Sequence, residues 1–275
     1  MTRIGFVTCV HLGLSCMEAI YEGGGSLSFA MTLEDDQAVN KSGRVYLDDF
    51  CRQNGIPLHK SRHVNNSDVI ASIKHYDLDW LFIIGWSQIA SADVLAAPKQ
   101  GALGIHPTLL PMGRGRAAIP WAILKGLDRT GVTLFKLDAG VDTGPIVDQV
   151  EIPLSASSDA GELYKLVDQA HVNLMKKVVP ALMAGTLVLK PQDDSLATEW
   201  PGRKPEDGEI DLSGSVIYAE RLVRAVTKPY PGAFTYLNGE KILVWKARIV
   251  SESSTLPTLR FSDGLLGLLE YEATP

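Results

Sequence analysis

Residues 101–146 read GALGIHPTLLPMGRGRAAIPWAILKGLDRTGVTLFKLDAGVDTGPI. Gly101 to Ile105 is short and wholly apolar, the pattern of a strand buried on both faces. It runs into His106-Pro107. Proline keeps the preceding residue out of helical conformations, so the imidazole is expected at the strand's carboxyl edge. Ala117 to Lys125 then reads as a helix, Gly131 to Leu137 as a strand, Asp138 to Gly144 (DAGVDTG) as a glycine-punctuated loop, and Ile146 to Ile152 as a returning strand.

Toward the amino terminus the same alternation continues. Ile4 to Val10, Leu27 to Leu33 and Leu81 to Ile84 are strand candidates. Between them, Cys16 to Tyr21, Val45 to Asn54, a segment opened by Asn66-Ser67-Asp68, and Ser91 to Ala97 have helical character. Strands alternating with helices predict an α/β fold, a Rossmann-like, mostly parallel sheet with helices on both faces. Such sheets bind ligands beyond the carboxyl ends of their strands. The places to look are therefore Gly85-Trp86-Ser87-Gln88, after one strand, and His106-Pro107-Thr108, after another.

Toward the carboxyl terminus, Ser157-Ser158-Asp159 caps a long helix with apolar residues at 163, 166, 167, 170, 174, 178 and 182, ending at Gly185. From Lys190 to Asp207 prolines and acids remove any periodicity. Beyond them come an amphipathic helix, Ser215 to Thr227, and a hairpin around Asn238-Gly239, a pair suited to a tight type I′ turn. The expected organisation is a catalytic domain over 1–190, a linker over 191–205 and a small β-rich module over 206–275.

Composition narrows the function. The chain has 275 residues, 45% of them hydrophobic, and a net charge of −6, an ordinary globular balance that disfavours an extended nucleic-acid surface. Its longest apolar run, Trp80 to Trp86, is too short to span a bilayer, and the amino terminus has no secretory pattern, so a cytoplasmic protein with no membrane partner is expected. Cys9, Cys16 and Cys51 lack metal-ligand spacing and read as buried free thiols, and no metal is expected. Gly113-x-Gly115-x-x-Ala118 spells a dinucleotide fingerprint, but Pro111 stands where the required strand would be. Small-molecule substrates are the remaining default. On spacing alone, His106 reads as a hydrogen-bonded turn residue and Asp142 as a loop cap somewhat more readily than as a reacting pair.

The wider segment strongly resembles the folate-dependent formyltransferases. The resemblance is carried by His106, Leu109, Leu110 and Pro111, by Arg114-Gly115, Trp121-Ala122-Ile123, Thr130 to Thr133, and the Asp138-x-Gly140-x-Asp142-x-Gly144 loop. It implies formyl transfer from 10-formyltetrahydrofolate to an amine, with His106 as oxyanion donor or proton acceptor and Asp142 setting its protonation. It also implies a folate slot walled by Trp86, Gln88, Ile89, Leu109, Asp138, Gly140 and Val141, with Thr108, Arg114 and Arg116 toward the substrate. The family has an Asn two residues before the His; here that position is Gly104. Gln88 and Thr108 are candidates for a replacement donor, on the view that Gly104 leaves room for one. Arg203 to Gly208, Val223 to Val226, Pro229 to Phe234 and Val244-Trp245 resemble the sugar-modifying branch, implying a nucleotide-linked amino sugar as substrate. Formylation of methionyl-tRNA or of a carrier-bound amino acid, and a folate-binding pseudoenzyme, are the open alternatives. Enzymes of this type are often dimers, so a homodimer is the assembly the resemblance suggests.

Overall fold

The computed structural model describes residues 2–39, 43–237 and 239–273. These form two compact units that interleave along the chain: Met1–Arg114, Gly131–Glu151 and Val167–Thr198 in the first, and Gly115–Thr130, Ile152–Leu166 and Glu199–Pro275 in the second.

In the first unit β1 (Ile4–Val7), α1 (His11–Glu22), β2 (Phe29–Leu33), α2 (Asp48–Asn54), β3 (Leu58–Ser61), α3 (Ser67–His75), β4 (Trp80–Ile83), α4 (Ala92–Ala96) and β5 (Gly101–His106) follow the expected alternation. The composition of β3, Leu-His-Lys-Ser, is polar and carries no strand pattern, which is why the sequence concealed it. Beyond β6 (Arg114–Gly115) and α5 (Ala118–Leu124) come β7 (Arg129–Lys136), β8 (Ile146–Pro153) and α6 (Ala160–Ala184). The seven-stranded sheet has the order β3-β2-β1-β4-β5-β7-β8. Its pairs from β3 to β5 are parallel, whereas β7 runs antiparallel to β5. The core under one face gathers Val7, Phe29, Met31, Val69, Ile73, Leu81 and Ala102, all 1% exposed or less. The α6 stripe is buried at Leu163, Val167, Ala170, Leu174, Val178 and Leu182, but Leu166 is exposed.

Register fixes the place of chemistry. In β5, Gly104 lies between Ile83 of β4 and Phe135 of β7, and His106 lies two residues further, opposite Thr133. Thr133 is itself fully buried and donates to the Thr108 carbonyl at 2.7 Å, which ties the turn after His106 to the sheet.

The stretch expected as a linker, 191–205, holds a short 3₁₀ turn (Asp194–Leu196) and β9 (Glu199–Trp200), with Trp200 buried, and a second 3₁₀ turn (Pro205–Gly208) begins at its end. In the second unit β10 (Ala233–Leu237), β11 (Glu240–Val250), β12 (Thr258–Phe261) and β13 (Gly264–Ala273) form an antiparallel sheet in the order β10-β11-β13-β12. Asn238 of the expected turn lies outside the described residues, while Leu237 and Glu240 pair across it. Helix α7 (Val216–Val226) buries Val216, Ala219, Leu222 and Val223. Its start is fixed by Ser215, whose hydroxyl accepts the Ile217 N–H, and by Asp263, which accepts the Val216 N–H at 2.9 Å.

Candidate active site

His106 closes β5 with only 8% of its surface exposed. Its Nε2 lies 2.7 Å from the Gly113 carbonyl oxygen. A carbonyl can only accept, so Nε2 carries a proton. The other nitrogen, Nδ1, lies 3.5 Å from Asp142 Oδ2, and both side chains are largely shielded, at 10% and 18% exposure. Shielding strengthens the attraction between a carboxylate and an imidazolium relative to the same pair in water. The carboxylate is placed to pair with an imidazolium should Nδ1 gain a proton.

Asp142 stands in a loop that the sequence makes tight. After β7, Leu137 donates its N–H to the Ala102 carbonyl, and the chain turns back. Asp138 Oδ1 accepts the Gly140 N–H at 3.0 Å and the Thr143 hydroxyl at 2.7 Å. At Gly144 a Cβ would come within 1.7 Å of the Lys136 carbonyl oxygen, so only glycine fits. Asp142 takes φ +56°, a left-handed conformation that costs a non-glycine residue about 1 kcal/mol. The loop therefore needs outside support, and Gln192 gives it, donating through Nε2 to the Asp142 and Gly144 carbonyls at 2.8 and 2.7 Å.

Composition and spacing gave no hint of Gln192, Thr198 or Gly113. Gly113 N–H donates to Thr198 Oγ1 at 2.9 Å, and the Arg114 N–H, on the same peptide as the carbonyl that holds His106, donates to the Thr198 carbonyl at 2.9 Å. The available signal was weak, a polar residue in a stretch without periodicity. Arg114, expected toward a substrate, is instead 7% exposed and spent internally: its guanidinium donates to Gln192 Oε1 at 2.7 and 3.2 Å and to Asp194 at 2.6 Å. Arg116 belongs to the second unit, where it is exposed and its N–H donates to the Trp200 carbonyl.

At Gly104 the expected room for another donor is absent. A Cβ there would meet Leu137 Cδ2 at 2.7 Å, because the leucine side chain fills the space. Gln88 is also unsuited to the substitute role: its Oε1 accepts the Val64 N–H and its Nε2 donates to the Arg62 carbonyl, each at 2.9 Å. Thr108 Oγ1, by contrast, is buried with no hydrogen-bond partner among the described residues, and so is Trp86 Nε1. Leu109 is half-buried, while Ile89 and Val141 are 85% and 65% exposed on their loops. The structure thus brings His106, Asp142 and the Asp138–Gly144 loop together, and leaves Gln88 and Arg114 with framework bonds.

Burial, reinforced by Asp168, pushes the Cys16 thiol far up, and burial pushes Cys51 up to about 11, so neither offers a thiolate near neutral pH. Among the described residues no group of three or more His, Cys, Asp or Glu gathers to hold a metal ion. No described helix is long and apolar enough to cross a membrane.

Comparison with known proteins gives the arrangement a context. A family described as formyl transferase matches residues 36–179, and its C-terminal domain matches residues 203–266. A methionyl-tRNA formyltransferase of Lachnospira eligens is 27% identical over 264 residues, covering 95% of this chain and 84% of that protein. Among solved structures, WlaRD, a sugar 3N-formyl transferase studied with dTDP and 5-N-formyl-THF, superposes with TM-score 0.70 at 18% identity, covering 99% of this chain and 97% of that one. An N-formyltransferase from Helicobacter canadensis, in complex with folinic acid and dTDP-3-aminofucose, gives TM-score 0.70 at 17% identity, with 98% and 99% covered. Since the amino-terminal match alone spans more than half of the 275 residues and the second follows it in order, this chain belongs to the formyl transferase family.

Proposed function

We propose that this protein transfers a formyl group from 10-formyltetrahydrofolate to the amine of a nucleotide-linked amino sugar, with residues 1–190 carrying the chemistry. The observation that carries the reading is the shielded His106–Asp142 pair at the end of β5. When a neutral amine attacks a formyl carbon, negative charge grows on oxygen and the nitrogen must lose a proton. Nε2 of His106 is committed to the Gly113 carbonyl, so Nδ1 takes that proton and Asp142 stabilises the imidazolium. Thr108, with its unpartnered buried hydroxyl, is the donor for the oxyanion.

The residues fit a folate. A pteridine needs apolar walls with a few polar groups at its edge. Trp86 supplies a buried indole N–H without a partner among the described residues, and Ile89 and Val141 supply exposed apolar side chains. Asp138 and Gly140 shape the loop that carries Val141. When bound, the folate supplies the activated formyl group; the protein orients it and handles the proton.

The choice of an amino sugar rests on charge. A net −6, with acids at Glu206, Asp207, Glu209 and Asp211, suits a small substrate better than a polyphosphate as large as tRNA. The two sugar N-formyltransferase structures superpose with TM-score 0.70, against 0.62 for a methionyl-tRNA formyltransferase of Clostridium thermocellum that is equally well covered, in keeping with this choice. Identity to the Lachnospira eligens enzyme favours methionyl-tRNA as the second reading. A competition assay offering both acceptors with 10-formyltetrahydrofolate separates them: kcat/KM at least tenfold higher for an amino sugar is expected. Preferential formylation of methionyl-tRNA, falling steeply with added salt, would replace the proposal with the second reading.

A further inference from the structure

We propose that Gln192 is a positioning residue for this site, the strut that holds Asp142 against His106. The proposal rests on the reading of those two residues as the reacting pair. Gln192 lies far along the chain from both and reaches Asp142 through its backbone carbonyl. Its amide is nevertheless saturated. Nε2 uses both hydrogens, on the Asp142 and Gly144 carbonyls, and Oε1 accepts twice from Arg114.

The bonds close a ring. From His106 Nε2 it passes to the Gly113 carbonyl, along the backbone to Arg114, through the guanidinium to Gln192 Oε1, across the amide to the Asp142 carbonyl, and back from the Asp142 carboxylate to His106 Nδ1. Both imidazole nitrogens therefore face atoms set by the same amide. Asp142 is in a left-handed conformation, and the bond from Gln192 to its own carbonyl holds that peptide in place. No other residue type satisfies the four bonds. Glutamate would set an oxygen against two carbonyl oxygens, and leucine would leave two carbonyls without this donor and the Arg114 guanidinium with Asp194 alone of its two side-chain partners.

The test uses the full chain labelled with ¹⁵N in its imidazoles, at one fixed pH, with the His106 signals assigned by their loss in His106→Gln. In Gln192→Leu the His106 Nδ1 resonance is expected to move in the same direction as in Asp142→Asn, and the double variant is expected to move no further than Asp142→Asn alone. Gln192→Glu, of equal size, gives the same displacement and serves where leucine is not tolerated by the fold. In turnover, kcat falls tenfold or more while KM for 10-formyltetrahydrofolate stays within threefold. A folded Gln192 variant whose His106 resonances coincide with those of the natural chain overturns the proposal. The resonances report geometry whether or not any amine is formylated, so failure of formyl transfer counts against the proposed function and leaves this result readable.

Discussion

His106 is held at both nitrogens, by the Gly113 carbonyl at 2.7 Å from Nε2 and by the Asp142 carboxylate at 3.5 Å from Nδ1. The two contacts differ in kind: a carbonyl can only accept, which sets a proton on Nε2, whereas a carboxylate can pair with an imidazolium. Asp142→Asn removes only the second. It is expected to lower kcat by about a hundredfold, with KM for the folate changed little. His106→Gln should cost at least as much, and the double variant little more, as a pair working as a unit predicts. Steady-state rates of the three variants check this; independent, additive losses would mean that the two residues do not cooperate.

Gly104 and Leu137 form a second coupled pair. An asparagine Cβ at 104 meets Leu137 Cδ2, so Gly104→Asn alone is expected to lose about 1–3 kcal/mol of stability and to gain no turnover. With Leu137→Ala added, stability recovers and turnover rises about tenfold over Leu137→Ala alone, as an added oxyanion donor predicts. Urea unfolding and kcat are the measurements. A stable, faster Gly104→Asn single variant would show that Leu137 moves aside freely.

Gly144→Ala drives a Cβ into the Lys136 carbonyl, a backbone atom that cannot swing away. The loop must shift, and Asp142 with it. Loss of both stability, about 1–3 kcal/mol, and kcat is expected. Thermal unfolding and rate assays on the one variant check it; full kcat would show that the loop is not the support we describe.

These relationships were unequally legible. The apolar run of β5 and the His106-Pro107 step put the histidine at a strand end, and the DAGVDTG glycines announced a tight loop, because both are local backbone effects. Gln192 and Thr198 were not legible: they meet the site through hydrogen bonds across some fifty to ninety positions, and a single polar residue in an aperiodic stretch advertises no partner. The reading of Arg114 went the other way. The resemblance implied a substrate-side residue, whereas the side chain is buried and bonded to Gln192. Likewise, glycine at 104 suggested open space, and only the packing shows Leu137 filling it.

Away from the site, α6 carries a pH-sensitive element. His171 is 3% exposed, with Nδ1 donating to the Val167 carbonyl, and burial lowers its pKa from 6.5 to about 4. Unfolding releases a histidine that titrates normally. Stability is therefore whole above pH 6.5 and falls as pH drops from there toward 4, by about 3 kcal/mol from this group. His171→Leu should remove that portion of the acid sensitivity. Urea midpoints across this range decide, and parallel pH profiles for the two proteins would contradict the assignment.

The most direct test of the account is product formation. The natural chain and Asp142→Asn are each incubated with 10-formyltetrahydrofolate and a panel of nucleotide-linked amino sugars, and the products are read by mass spectrometry. The account predicts that at least one amino sugar gains a single formyl group with the natural chain, and that the yield collapses with Asp142→Asn. Binding of the folate with no amine formylated, or equal yields from the two proteins, would contradict it.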